Sequence, residues 1–279
     1  MNYGIEINND WTGLISSDYG AECVLAAGMV TFTNVSVKDR FGSNGSTAVE
    51  PGAAMVPITL QKFAHGMSMI GSFNGQHTIG DNVTMVAGTD RGVVPGTVDG
   101  YPWSTSFGNW SETDTSITIK NLYIPPCKDQ SLTASSISGT AYVILIGQLP
   151  ENYNKADYGL QMWGSGGQLA FDSSLMPANA RHLITQPTAG LYPYNSPATL
   201  SGGLPTGPKM AVATWLAQGK SSNNYFCNMG LQFSSDGVRY GLRPNGPPWT
   251  NPWQTHYGMY NLTGGETIRV FHAEDYFDI

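Results

Sequence analysis

Charge is scarce in this chain. Of its 279 residues only 12% are Asp, Glu, Lys or Arg, about half of the roughly 25% usual in globular proteins. Basic residues are fewest, 13 Lys+Arg against 20 Asp+Glu, and the net charge is −7. Lys and Arg cluster nowhere. That argues against nucleic acid as a partner, because phosphate contacts need concentrated positive charge. Long apolar runs are missing as well. The longest, at 141–146, has the size of a buried strand and falls far short of the roughly 20 residues that span a bilayer. No membrane insertion is expected. The opening Met1-Asn2-Tyr3-Gly4-Ile5-Glu6 has neither the basic region nor the apolar core of a signal peptide, and reads as the start of a first strand. Cysteine is limited to Cys23, Cys127 and Cys227. An odd, widely spaced set without a CxxC pair gives neither a disulfide framework nor a zinc finger. The three read as packed thiols of a protein made in a reducing cytosol.

What the chain does have is glycine (34), proline (17) and aromatic residues (11%), within a hydrophobic share of 41%. Disorder needs low hydrophobicity with high charge, so this chain folds, with hydroxyls and amides in place of ions on its surface. Such composition suits a turn-rich β protein and also a protein buried within an assembly. Period-two alternation runs through most of the sequence. It is clean at 30–37 and 116–124, and further strands are expected at 53–60, 78–87, 140–146, 158–163, 228–233 and 267–272, mostly bounded by Gly, Pro, Asn or Ser. Only 209–218 has the pattern for a helix of about three turns, and it suits a buried strand equally. The expected fold class is all-β, as two sandwich-like units at 1–149 and 150–279 joined near 147–157.

Signatures of catalysis fail in turn. No Gly-x-Ser-x-Gly elbow occurs. Gly202-Gly203-Leu204-Pro205-Thr206-Gly207-Pro208-Lys209 has Pro208 where a phosphate loop needs lysine. Gly164-Ser165-Gly166-Gly167 lacks the last glycine of a dinucleotide fingerprint and reads as a hairpin turn. His65, His77, His182, His256 and His272 show no close metal-ligand spacing. Paired carboxylates for glycoside hydrolysis need not be close in sequence, but nothing favours them. No catalytic residue, metal or cofactor is expected.

Two other features carry candidate function. Three proline-rich aromatic segments, 101–110, 187–197 and 247–257, read as long loops, which tend to be functional. Trp103, Trp110, Tyr192, Tyr194, Trp249 and Trp253 offer apolar faces with polar edges, on which sugar rings stack or protein partners anchor. The competing reading is that these rings pack against prolines and stiffen the loops. The C-terminal stretch 272–279 gathers three carboxylates and one imidazole. A hard cation would suit that set. The stronger expectation is a docked tail, with Tyr276, Phe277 and Ile279 packing on the chain's own sheet or on a neighbouring subunit and Glu274, Asp275 and Asp278 at a solvated rim.

One pattern recurs. Tyr3-Gly4-Ile5-Glu6-Ile7 is followed by Leu14 and Ser16-Ser17-Asp18, and Tyr158-Gly159-Leu160-Gln161-Met162 by Leu169 and Asp172-Ser173-Ser174. A partial third copy runs from Gly230 to Val238. Each reads as strand, polar turn, strand, and both duplication and chance account for it. The opening of the chain, with its Tyr-Gly, alternating strand, Gly turn and Ser16-Ser17-Asp18, resembles the start of tailed-bacteriophage virion proteins, which typically run Tyr-Gly-Leu, alternating strand, Gly turn and Asp-Ser; the copy at 158–174 fits that pattern better. The resemblance covers about 17 residues in each of the first two copies and carries no catalytic residue. It implies a structural tail, tail-tip or fibre-attachment protein, assembled in the host cytoplasm with other virion proteins and as a homo-oligomer. The alternative is a host-surface glycan-binding module using the aromatic loops. Hydrolysis of a host polysaccharide ranks third.

Overall fold

The apolar run at 141–146 has an apolar residue at every position because both faces of its strand are covered. In the computed structural model the described residues are 6–8, 14–16, 22–38, 53–73, 76–80, 82–90, 110–124, 136–149, 159–164, 166–167, 169–185, 198–201, 207–212, 218–220, 226–234, 237–243, 258–260 and 267–279. They form the strands β1 (Glu6–Asn8), β2 (Leu14–Ser16), β3 (Cys23–Lys38), β4 (Ala53–Lys62), β5 (Ile70–Phe73), β6 (Gln76–Ile79), β7 (Val83–Thr89), β8 (Trp110–Glu112), β9 (Ser116–Ile124) and β10 (Ser136–Gly147). The second half supplies β11 (Gln161–Trp163), β12 (Leu169–Asp172), β13 (His182–Thr185), β14 (Ala198–Ser201), β15 (Lys209–Val212), β16 (Gln218–Lys220), β17 (Phe226–Ser234), β18 (Gly237–Arg243), β19 (Gly258–Tyr260) and β20 (Thr267–His272). The only helical turn among the described residues is a 3-10 turn at Ala273–Asp275. The chain is all-β, as expected. Of the segment 209–218, whose pattern suits helix and strand equally, Lys209–Val212 is a strand and 213–217 lie outside the described residues.

One antiparallel sheet of nine strands dominates, in the order β13-β20-β15-β7-β10-β3-β4-β9-β8. A smaller five-stranded sheet runs β14-β18-β17-β16-β19, and three hairpins stand apart. In β10, Ala141, Val143 and Leu145 point to one cluster with Ile58, Leu60, Ile117, Ile119 and Met85. Tyr142, Ile144 and Ile146 point to a second, with Val24, Val86, Met210 and Phe271. A strand buried on both faces loses the usual apolar-polar alternation. Each fully buried Ile or Leu contributes about 1.5–3 kcal/mol.

Where only one face is covered, alternation returns. In β4, Ala54, Val56, Ile58 and Leu60 are buried, while Pro57, Thr59 and Gln61 are exposed. Pro57 is unexpected in a central strand, since it cannot donate to a ladder. It sits at a bulge: Val56 pairs with Leu122 and Ile58 with Ile119, so β9 carries one extra residue opposite the proline. The bulge also restores the inward direction of Leu122 and Ile124, which would otherwise turn outward. A second bulge lies in β3, where Ile137 pairs with Val35 and Gly139 with Phe32. There Asn34 takes φ 50°.

Strands from both sides of the expected 149/150 boundary are hydrogen-bonded neighbours. Lys209–Val212 pairs with 86–89 of β7, register Lys209↔Thr89 to Val212↔Val86. Those strands belong to one sheet and not to separate units. The approach is close: a Cβ added at Gly88 would collide with the Lys209 carbonyl oxygen.

The three sequence copies are all antiparallel hairpins: β1–β2, β11–β12 and β17–β18. In the first two the turn-side pair is equivalent, Asn8↔Leu14 and Trp163↔Leu169.

Candidate functional site

The expected aromatic platforms fare unequally. Trp110 begins β8 and is 3% exposed, within the first apolar cluster. Its ring faces are core contacts, which corrects its assignment as a stacking residue. It pairs with Ile119, and that inward register explains the burial. Its Nε1 has no hydrogen-bond partner among the described residues. Trp103, Tyr192, Tyr194, Trp249 and Trp253 lie outside the described residues. One aromatic that sequence reasoning passed over is on the surface: Trp163 at the end of β11 is 44% exposed, near exposed Leu160. Its signal was its place in the repeated hairpin.

The C-terminal residues do pack, and on their own sheet. The Phe277 ring lies 5.4 Å from that of Tyr142, and Tyr276 lies 6.3 Å from Phe271. The Tyr276 hydroxyl accepts from the Asn179 backbone N–H (3.0 Å) and donates to the Asn179 carbonyl (3.1 Å). Burial pushes that phenol up to about 12. Ile279 is 57% exposed and remains the one tail anchor left at the surface. The carboxylates meet a cation within the chain. Arg181 donates to Glu274 at 2.8 Å and also to Asp275.

This tail ends a polar row running across the sheet. His182 pairs with Val270, two residues from His272; His272 pairs with Lys209, and Lys209 with Thr89. Paired residues share a face, so His182, His272, Lys209 and Thr89 form one row. His272, Lys209 and Thr89 are buried. The two imidazoles are 5.2 Å apart between centroids, and the Nε2 of each is buried without a hydrogen-bond partner among the described residues. His272 Nδ1 stands 3.5 Å from Glu274 Oε1, and Lys209 Nζ donates to the Gly207 carbonyl at 2.8 Å. Burial, Lys209 and Arg181 hold His182 below the ordinary histidine value. Burial, Arg181, Lys209 and His182 do the same to His272, against the pull of Glu274. The two histidines stand ninety positions apart in the chain, which explains why local spacing gave no sign of the pair.

A second polar centre is structural. Lys62 is buried, and its Nζ donates to Glu112 (2.7 Å), the Met67 carbonyl (2.6 Å) and the Thr113 carbonyl (3.2 Å). Glu112 also accepts from Ser68 Oγ, Met69 N and Ile70 N. Burial opposes ionisation of Glu112, but Lys62, the Met69 N–H and the Ser68 hydroxyl outweigh it and hold the carboxyl below its ordinary value. The network ties the turn after β4 to β8. Cys23 is buried, and burial with the nearby Asp172 and Glu22 pushes its thiol up to about 12, which keeps it protonated and unreactive.

Among the described residues no group of three or more His, Cys, Asp or Glu is arranged to hold a metal ion. No known protein family, curated protein or solved structure matches the chain.

Proposed function

We propose that this chain is a non-catalytic structural component of a bacteriophage virion, in the tail, tail tip or fibre-attachment region, working as a homo-oligomer or beside other virion proteins. The observation that carries the reading is the outer face of the large sheet. Across β8, β9 and β4 it presents Ser111, Thr118 and Thr59 in register, with Thr59 and Thr118 hydroxyls 3.2 Å apart. On β3 and β10, Thr31 and Thr140 repeat the pairing at 3.3 Å. Neutral hydroxyls that already bond one another lose less on desolvation than ions do. Such a face is suited to burial against a neighbouring subunit, where charged residues are depleted. The resemblance of the Tyr-Gly hairpins to tailed-phage proteins and the low overall charge point the same way. The test is mass spectrometry of purified particles carrying this gene. The chain is expected among the virion proteins, and its absence overturns the reading.

A second reading, a host-surface glycan-binding module, is favoured by exposed Trp163 on a hairpin. A stacked sugar there would contribute about 1 kcal/mol, by analogy with aromatic pairs. A glycan array on the purified protein distinguishes the two. Binding that is lost in Trp163→Ala or in the Trp249→Ala, Trp253→Ala double variant supports a receptor-binding role; an array without signal removes it.

A further inference from the structure

We propose that β13 and the C-terminal tail form a clasp that acid opens: protonation of the facing His182 and His272 imidazoles drives β13 off β20 and carries away Arg181, the cation that holds the tail.

β20 and the turn after it bring His272, Glu274 and Asp275. Residues 181–185 bring Arg181 and His182, and β15 brings Lys209. Tyr276 stands beside Asp275 and Arg181, and burial keeps its phenol neutral. With both imidazoles neutral, two cations face two carboxylates and the cluster is balanced. With both protonated, these named groups sum to a net charge of +2, with the two imidazoliums 5.2 Å apart between ring centroids. An imidazolium carries a proton on both ring nitrogens, and the Nε2 of each ring is buried with no acceptor among the described residues. A buried charge without a partner is strongly unfavourable. Glu274 offers only partial relief, because Arg181 already engages it at 2.8 Å.

The weakest restraint then gives way. β20 is paired on both sides, with β15 and β13. β13 is four residues long, stands at the end of the nine-stranded order and pairs with β20 alone in that sheet. Its Leu183 is more than half exposed and anchors it little. Moving β13 separates the imidazoles. It also displaces Arg181 from Glu274 and Asp275, leaving the tail held by Tyr276 and Phe277. Both histidines are held below their ordinary value of about 6.5. The closed form therefore binds fewer protons than the open form, so closure is complete above that pH and is lost as pH falls through the closed-state values.

The test is hydrogen exchange on the full chain at pH 7.5 and pH 5.0, each corrected for intrinsic rates. Exchange in peptides covering 182–185 and 273–279 is expected to accelerate about tenfold or more at pH 5.0, the mark of local opening, while 141–147 keeps its protection. His182→Gln, at a half-buried edge position, should abolish most of that acceleration, and Glu274→Gln should move it to higher pH. Unchanged protection at pH 5.0, loss across the whole sheet at once, or an undiminished acid response in His182→Gln would each overturn the clasp.

Discussion

Asn34 holds a left-handed backbone, φ 50°, in the middle of a sixteen-residue strand. Its N–H donates to Ser138 Oγ at 2.8 Å, so the bulge is bonded across to β10. A side chain without a short polar group costs roughly 1–2 kcal/mol in this conformation. Asn34→Ala should therefore destabilise the protein by about that amount, whereas Asn34→Gly should cost little. Urea denaturation of both variants checks the order, and equal losses would show that the conformation is not what Asn34 supplies. Lys62 presents the opposite kind of residue, a buried cation with three acceptors. Replacing it by Met strands Glu112 in a partly buried site, and removing one partner of a buried pair costs about 3–5 kcal/mol. Exchanging Glu112 for Gln in the same chain should recover part of that loss. A double-mutant cycle with no coupling would mean that Lys62 acts only by filling space.

At the scale of elements, strands were the legible part. The alternation at 116–124 and 267–272 matches the bounds of β9 and β20, and the unbroken apolar run marks the doubly buried β10. Bulges were harder, because Pro57 and Asn34 each look like strand breakers until a register shift accommodates them. The pairing of β7 with β15 left no local trace, since cross-strand register is set between segments more than a hundred residues apart. Trp110 was misread for a related reason: its burial comes from pairing with Ile119, not from its Pro- and Ser-rich neighbours. The C-terminal turn is an element whose contribution can be measured directly. Deleting residues 275–279 removes Phe277 from Tyr142 and Tyr276 from Asn179. Partial burial of two aromatic rings contributes about 1–3 kcal/mol. The melting temperature should fall by several degrees while oligomer size stays unchanged, because both rings are engaged within the chain. A change in oligomer size without a change in melting temperature would assign the tail to a neighbouring subunit instead.

For the whole molecule, the two polar centres imply an acid profile with two stages. His182 and His272, held low by burial and by neighbouring cations, remove stability as pH falls below about 6.5. Glu112, held below its ordinary value of 4.5 by Lys62, the Met69 N–H and Ser68 against the effect of burial, keeps its contribution above that pH and loses it as the solution is acidified further. Guanidinium midpoints measured from pH 8 to pH 3 should fall in two separable steps. Lys62→Met should erase the lower one only. The sheet order also has a consequence in time. Six of the nine strands, from β7 through β8, are complete once Gly147 has been made, whereas β15 begins at Lys209. At about 5–20 residues per second a ribosome takes roughly 3–12 s to cover that gap. Throughout it, the nascent chain carries β7 with its outer backbone donors and acceptors unmatched. That waiting interval, rather than any weakness of the finished fold, is when two copies emerging from one polysome have most opportunity to pair wrongly.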